Sequence, residues 1–168
     1  LWFFSCLLAF LYSAPQQFRE DLLKTSGGDL KITCVGHGTL MFTFGGKVLH
    51  VDPVSSVADY KTLPKADLIL VTHEHGDHLD PGVIQSLSKE GTVVVISPAC
   101  AKALPRGTVM ANGQSRTLAG LKIEAVPAYN IVHKTRGGQP FHPKGDGNGY
   151  VITFGDRRVY VAGDTENT

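Results

Sequence analysis

Ten residues constrain this chain more than any others: Val71-Thr-His-Glu-His-Gly-Asp-His-Leu-Asp80. They put His73, His75, Asp77 and His78 within six positions, directly after the apolar run Ala66-Asp-Leu-Ile-Leu-Val71. That run is short and β-branched at Ile69 and Val71, which predicts a buried strand closing on Thr72. The histidines and the aspartate therefore fall on the loop that leaves the strand. Asp80-Pro81 offers an N-cap and a first-turn proline, so a helix is predicted from Pro81 to about Lys89.

Imidazole nitrogens and carboxylate oxygens are donors that Zn²⁺ accepts at about 2.0–2.2 Å. His73 and His75 are two apart, so an extended backbone points both to the same side. Gly76 frees the chain to turn and aim Asp77 and His78 at a second point. One loop can thus serve two metals about 3.5–4 Å apart, the separation found in two-metal hydrolytic sites. A polar loop with histidines by chance is the alternative, and the density of donors argues against it. The helical pattern His-Glu-x-x-His fails, because the residue four after His73 is Asp77.

His73-x-His75-x-Asp77-His78 resembles the signature of the metallo-β-lactamase-fold superfamily of metallohydrolases. Gly36-His-Gly-Thr39, His50-Val-Asp-Pro53 and Ala162-Gly-Asp-Thr165 stand in the order that the resemblance expects. It implies an α+β fold, a four-layer helix–sheet–sheet–helix sandwich, over residues 30–168. It also implies a hydrolase with two zinc ions. The superfamily's second metal takes a further histidine well beyond the aspartate matching Asp164, whereas this chain ends at Thr168. The resemblance therefore implies a domain without its C-terminal part, binding zinc poorly and showing little activity as given.

A length of 168 residues suits one domain with a real core. Hydrophobic residues at 42% and charged ones at 18% describe a globular chain. A net charge of +1 gives no electrostatic case for nucleic acid or an anionic membrane. The apolar stretch Leu1–Tyr12 is too short to span a bilayer. Followed by Ser13-Ala14-Pro15, it reads as a signal-peptide remnant over residues 1–14, which predicts a secreted or periplasmic protein. A packed N-terminal helix on a cytoplasmic protein is the alternative. Cys34 is predicted to be a buried small hydrophobe, and a Cys34–Cys100 disulfide is an option in an oxidising compartment.

The remaining pattern predicts mostly antiparallel strands. Strands are expected at 30–35, 39–44 and 47–51, the last two joined by a tight Gly45-Gly46 turn. A fully apolar strand at 92–96 and a short helix at 98–104 follow. Asn112-Gly113 predicts a hairpin between 108–110 and 115–118, ahead of a strand at 121–126. A last hairpin turns at Gly155-Asp156.

Asp52 leaves a strand end and can hydrogen-bond a metal-bound histidine from behind, a role that the resemblance also implies. A turn cap before Pro53 would equally use it. Many superfamily members carry a histidine at the end of the strand matching 121–126, where this chain has Pro127-Ala-Tyr-Asn130. The third ligand then falls to His133 or His142. His142 is favoured, because Pro143 stiffens its loop and Asp164 follows 22 positions later, a spacing similar to relatives. His133, next to Lys134 and Arg136, is expected to face solvent. Asp164 resembles the superfamily's bridging aspartate, and Gly163 lets its backbone approach closely. His37 and His50 are not expected to be ligands.

The resemblance thus implies that His73, His75 and His142 hold one metal and that Asp77 and His78 share the other, with Asp164 between them. A metal-bound hydroxide would cleave an ester, lactone, amide or phosphoester of a small-molecule substrate, with Asp77 as the catalytic proton carrier. Nucleic acid is not expected as a partner, nor a stable membrane anchor. The alternatives are a metal-bound scaffold without catalysis, a nuclease of the same superfamily, and a di-iron redox relative. Against the last, His75 stands where those relatives carry glutamate.

Overall fold

A computed structural model describes residues 16–167, so the leader expected over 1–14 lies outside them. Two sheets face each other. The first has seven strands in sequence order: β1 (Arg19–Thr25), β2 (Gly28–Gly36), β3 (Thr39–Phe44), β4 (Lys47–Val51), β5 (Leu68–Val71), β6 (Val93–Ile96) and β7 (Thr108–Val109). The second has four, in the order β11 (Arg157–Val161), β10 (Gly147–Phe154), β9 (Leu121–Ala128), β8 (Ser115–Leu118). One helix, α1 (Pro81–Leu87), packs on the outer face of the larger sheet. No helix among the described residues is long and apolar enough to cross a membrane.

Strand β5 explains the layering. Leu68 and Leu70 point into the space between the sheets, where they meet Leu49, Val95, Ile123, Tyr150 and Ile152. Ile69 and Val71 point the other way, against Val83, Ile84 and Leu87 of α1. All four residues of β5 are buried, each side chain contributing roughly 1.5–3 kcal/mol. A strand covered on both faces must read as a continuous apolar run, and this one does. Its end is therefore fixed from both sides, and the loop that follows starts from a rigid point.

The structure corrects several expectations. Strands β4 to β7 pair in parallel, although the remaining pairs are antiparallel as expected. Parallel neighbours need crossover connections, which α1 and a 3-10 turn at Pro98–Lys102 help supply in place of the longer helix expected there. Helix α1 stops at Leu87, two residues early, with Ser88 as its C-cap. Asp80 caps its start as predicted, its carboxylate accepting from the Val83 N–H.

The hairpin expected at Asn112-Gly113 does not form. The turn is present, with Gln114 N–H donating to Ala111 O at 3.1 Å, but β7 belongs to one sheet and β8 to the other. The Asn112 side chain donates to Gly147 O (3.0 Å) and Asn148 Oδ1 (2.6 Å), which ties the crossing to β10. Cys34 is exposed rather than buried, because Thr33 and Val35 take the inward positions at that end of β2. Both Cys34 and Cys100 are free thiols, so the optional disulfide is absent. Strand β1 precedes the expected domain start at residue 30; its six exposed residues in seven give no apolar alternation to read.

Candidate metal centre

The loop leaving β5 is held from three directions. The Thr72 carbonyl accepts from Asn148 N–H of β10 at 2.8 Å. A Cβ at Gly163 would lie 3.1 Å from Thr72 Cβ, and Gly163 has φ +64°, so this close pass needs a glycine on both counts. From the third side comes Asp52, a buried residue at φ +46°. A non-glycine residue in the left-handed region is strained and persists only where its surroundings hold it. Asp52 is held by its carboxylate: Oδ1 accepts from Thr72 N–H (2.8 Å), while Oδ2 accepts from Thr72 Oγ1 (2.6 Å) and faces His78 Nδ1 (2.8 Å).

This network assigns the histidine tautomers. The Thr72 hydroxyl has one proton, and it goes to Asp52. Thr72 Oγ1 then has only lone pairs to offer His73 Nδ1, 2.9 Å away, so His73 carries its proton on Nδ1 and donates. His78 likewise donates from Nδ1 to Asp52. In both rings an Nδ1 proton faces the network, and Nε2 turns the other way, towards the centre. These two Nε2 atoms are buried and have no hydrogen-bond partner. Unpartnered buried polar atoms are rare and call for an explanation.

Their surroundings supply one. Donor atoms of His73, His75 and His142 lie within 4.8 Å of one another, as do those of His73, His78 and Asp164, and those of His37, Asp77 and His78. His142 Nε2 is 3.1 Å from His75 Nδ1. Asp164 Oδ1 is 3.2 Å from His78 Nε2 and Oδ2 is 3.5 Å from His142 Nε2. The first of these distances is a charge contact without hydrogen-bond alignment, which is why His78 Nε2 counts as unpartnered.

Burial and the neighbouring His78 push the His73 pKa down to about 3, so the ring is neutral. Burial also lowers His142. For His78, burial opposes the charge, but the hydrogen bond it donates to Asp52 and the negative charge there raise the pKa overall. Burial raises Asp52 in turn, against the donors from His78 and Thr72. Asp77 is lowered: burial works against its charge, but its own N–H, His78 and His37 outweigh it.

Every residue expected at the site is therefore brought to it: His73, His75, Asp77, His78, His142 and Asp164, with Asp52 behind. His133 lies away from the cluster, exposed and bonded to Glu166. His50 is fully buried, with Nε2 3.1 Å from Pro64 O. Two residues take parts beyond those expected of them. His37 holds φ +48° and sets Nε2 3.2 Å from Asp77 Oδ2; the flanking Gly36 and Gly38 were its one sequence signal. Thr72 links Asp52 to His73, and only its place beside the motif hinted at this.

A sequence profile described as "Beta-lactamase superfamily domain" matches residues 31–168. The chain belongs to this superfamily. Among its superfamily relatives, a UPF0173 metal-dependent hydrolase of Pelotomaculum thermopropionicum is 33% identical over 81% of this chain and 62% of its own length. One from Flavobacterium johnsoniae is 34% identical over 83% of this chain and 64% of its own length. The chain thus spans a little under two thirds of the curated relatives it matches. A crystal structure from Parabacteroides distasonis, provisionally named a metal-dependent hydrolase, is 47% identical with a TM-score of 0.84, covering 90% of this chain and 69% of that one.

Proposed function

We propose that the full-length protein is a zinc-dependent hydrolase with two metals, acting on an ester, lactone, amide or phosphoester bond of a small molecule. The observation that carries this reading is Asp164. Its two carboxylate oxygens face histidines of different groups, His78 at 3.2 Å and His142 at 3.5 Å. A carboxylate so placed can lie between two cations and offset their repulsion. The naming of its relatives as metal-dependent hydrolases supports the same class of chemistry.

The residues fit such metals. His73 and His78 each aim a buried, unpartnered Nε2 at the centre, and the His73 ring is neutral. His73, His75 and His142 would hold one ion; Asp77 and His78 would hold the other, with Asp164 between and a further donor from the remainder of the protein. Imidazoles, two carboxylates and no thiolate suit zinc. When bound, zinc supplies Lewis acidity that lowers the pKa of a water to about 7.

The chain's own residues do the rest. Asp52 and Thr72 fix the tautomers of His78 and His73 so that neither ring must reorganise. Asp77 is exposed and kept ionised by its own N–H, His78 and His37, so it can take a proton from the nucleophile or pass one to the leaving group. His37 holds the Asp77 carboxylate in place through Oδ2. We further propose that the whole protein completes a four-layer sandwich, and that the apolar leader directs it to a secreted or periplasmic location.

The test uses full-length protein: metal content by plasma emission, and hydrolysis of generic ester, lactone and phosphodiester substrates. About two zinc ions per chain are expected, with Asp77→Asn removing turnover while thermal melting stays within a few degrees. Protein that purifies without transition metal and cannot be loaded, or an Asp77→Asn variant with full turnover, would refute the scheme.

A further inference from the structure

His142 differs from the other histidines of the centre. His73 and His78 leave the rigid end of β5, but His142 sits in the irregular segment between β9 and β10, among exposed Ile131, Val132 and Phe141. A ligand carried on such a segment must be held by something other than core packing. Its Nδ1 is 2.6 Å from Asn130 Oδ1, and its backbone N–H donates to the same oxygen at 3.0 Å. An amide oxygen only accepts, so the His142 proton sits on Nδ1 and its Nε2 lone pair turns towards His75 and Asp164.

Asn130 is held in turn. Its Nδ2 donates to Glu166 Oε1 at 3.1 Å, which also settles which side-chain atom is nitrogen. Glu166 gathers the start of the same segment: Oε2 accepts from the N–H groups of Ile131 (2.8 Å) and Val132 (2.7 Å), and Oε1 from His133 N–H (2.7 Å). His133 Nδ1 is 2.5 Å from Oε1. Glu166 stands two residues after Asp164, and Thr165 between them hydrogen-bonds Tyr129 N–H and O. The carboxylate that faces both donor groups and the one that gathers the loop are thus on one short stretch of chain.

We infer that Asn130 and Glu166 are positioning residues: Glu166 clamps the start of the 130–146 segment, and Asn130 passes that constraint to His142, fixing its tautomer and its direction. This rests on the metal-centre reading above. The arrangement also accounts for a histidine far from the strand end serving beside His73 and His75, since the anchor lies at Asn130, where β9 gives out. Carboxylates accepting several backbone N–H groups hold their charge strongly, and Glu166 is accordingly lowered, chiefly by Val132 and His133 N–H.

The test measures metal affinity of the full-length protein by competition with a chromophoric chelator, and the d–d absorption of the Co²⁺-loaded form. Asn130→Ala should weaken Zn²⁺ binding by about 10–100-fold, the usual effect of removing a ligand's supporting partner, and should weaken or shift the Co²⁺ bands. Asn130→Asp keeps an oxygen for the His142 Nδ1–H but sets a second carboxylate against Glu166, so its affinity should fall between Asn130→Ala and the wild type. Glu166→Ala should lose affinity, and Glu166→Gln should lose it too, because both carboxylate oxygens accept N–H groups and an amide NH₂ would face donors on one side. His142→Ala is the reference. If it weakens binding while Asn130→Ala binds like the wild type, the positioning role is wrong and the metal centre stands. If His142→Ala itself changes nothing, the metal-centre reading fails and this one with it.

Discussion

Asp52 Oδ2 lies 2.8 Å from His78 Nδ1, with both side chains 1% exposed. The same carboxylate oxygen accepts from Thr72 Oγ1, whose other neighbour is His73 Nδ1. One buried aspartate thereby sets the proton positions on two histidines, His73 and His78, whose donor atoms gather with Asp164.

Removing that aspartate should be costly. Asp52→Ala leaves His78 Nδ1 and the Thr72 N–H and hydroxyl without their acceptor inside the protein. Loss of one partner from a buried pair costs about 3–5 kcal/mol. Urea unfolding should show a loss of that size. Asp52→Asn, which keeps an oxygen for two donors but brings an unwanted N–H, should fall between it and the wild type. A loss under about 1 kcal/mol, the scale of an exposed ion pair, would contradict the burial argument.

The metal-free protein should become less stable as pH falls from 6.5. His73 has a folded pKa of about 3 against an unfolded value of 6.5, so between those limits the unfolded chain binds the extra proton. Stability therefore rises with pH across this window and is lost on acidification. One such group contributes a slope approaching about 1.4 kcal/mol per pH unit. Denaturant titrations at pH 7, 6, 5 and 4, in chelator, should show a steeper decline for the wild type than for His73→Gln. Parallel declines would mean that His73 is not held neutral.

Gly38 has no room for a side chain. A Cβ there would lie 2.8 Å from His78 Cε1, and His78 cannot retreat without breaking its bond to Asp52. Gly38→Ala should cost about 1–3 kcal/mol from overpacking. Under the two-metal proposal it should also lower bound zinc from about two towards one per chain, because the displaced ring serves the second ion. Metal content after gel filtration checks this, and an unchanged stoichiometry would argue against His78 as a ligand.

Tyr150 links the two sheets beneath the centre. Its buried hydroxyl donates to Val71 O at 2.8 Å, the last carbonyl of β5, and accepts from Asn148 Nδ2 at 3.2 Å. Tyr150→Phe preserves the packing and leaves the Val71 carbonyl without this donor, so about 1–3 kcal/mol should be lost. Chemical denaturation measures it. Because Val71 is where the donor loop begins, amide exchange at Thr72 and His73 should quicken more than at the far end of β10.

The local features were legible where one short segment carried its own signal. The apolar run before Thr72, the Asp80-Pro81 helix start and the Gly45-Gly46 turn are each set by neighbours in the chain, and each formed as read. Asn112-Gly113 shows where that stops. The dipeptide does make a turn, but whether its two strands pair or part depends on which sheet each one joins. Asn112 finds Gly147 and Asn148, 35 and 36 positions away, and the chain crosses between sheets. Cys34 failed in the same way, since strand alternation gives two faces and does not say which end of a face is covered.

The sequence by itself determined that a donor-rich loop leaves a strand buried on both faces, because ligand chemistry and hydrophobic period are local properties of residues 66–80. The family resemblance pointed to Asp164, His142 and Asp52, and only the tertiary structure decided how these distant groups meet that loop and which others join them. Asp164, His142 and His37 arrive from separate turns, Asp52 from the end of β4, and the anchors Asn130 and Glu166 stand 36 positions apart. Their convergence is set by sheet packing and by hydrogen bonds closed across long loops, where spacing along the chain carries no direction.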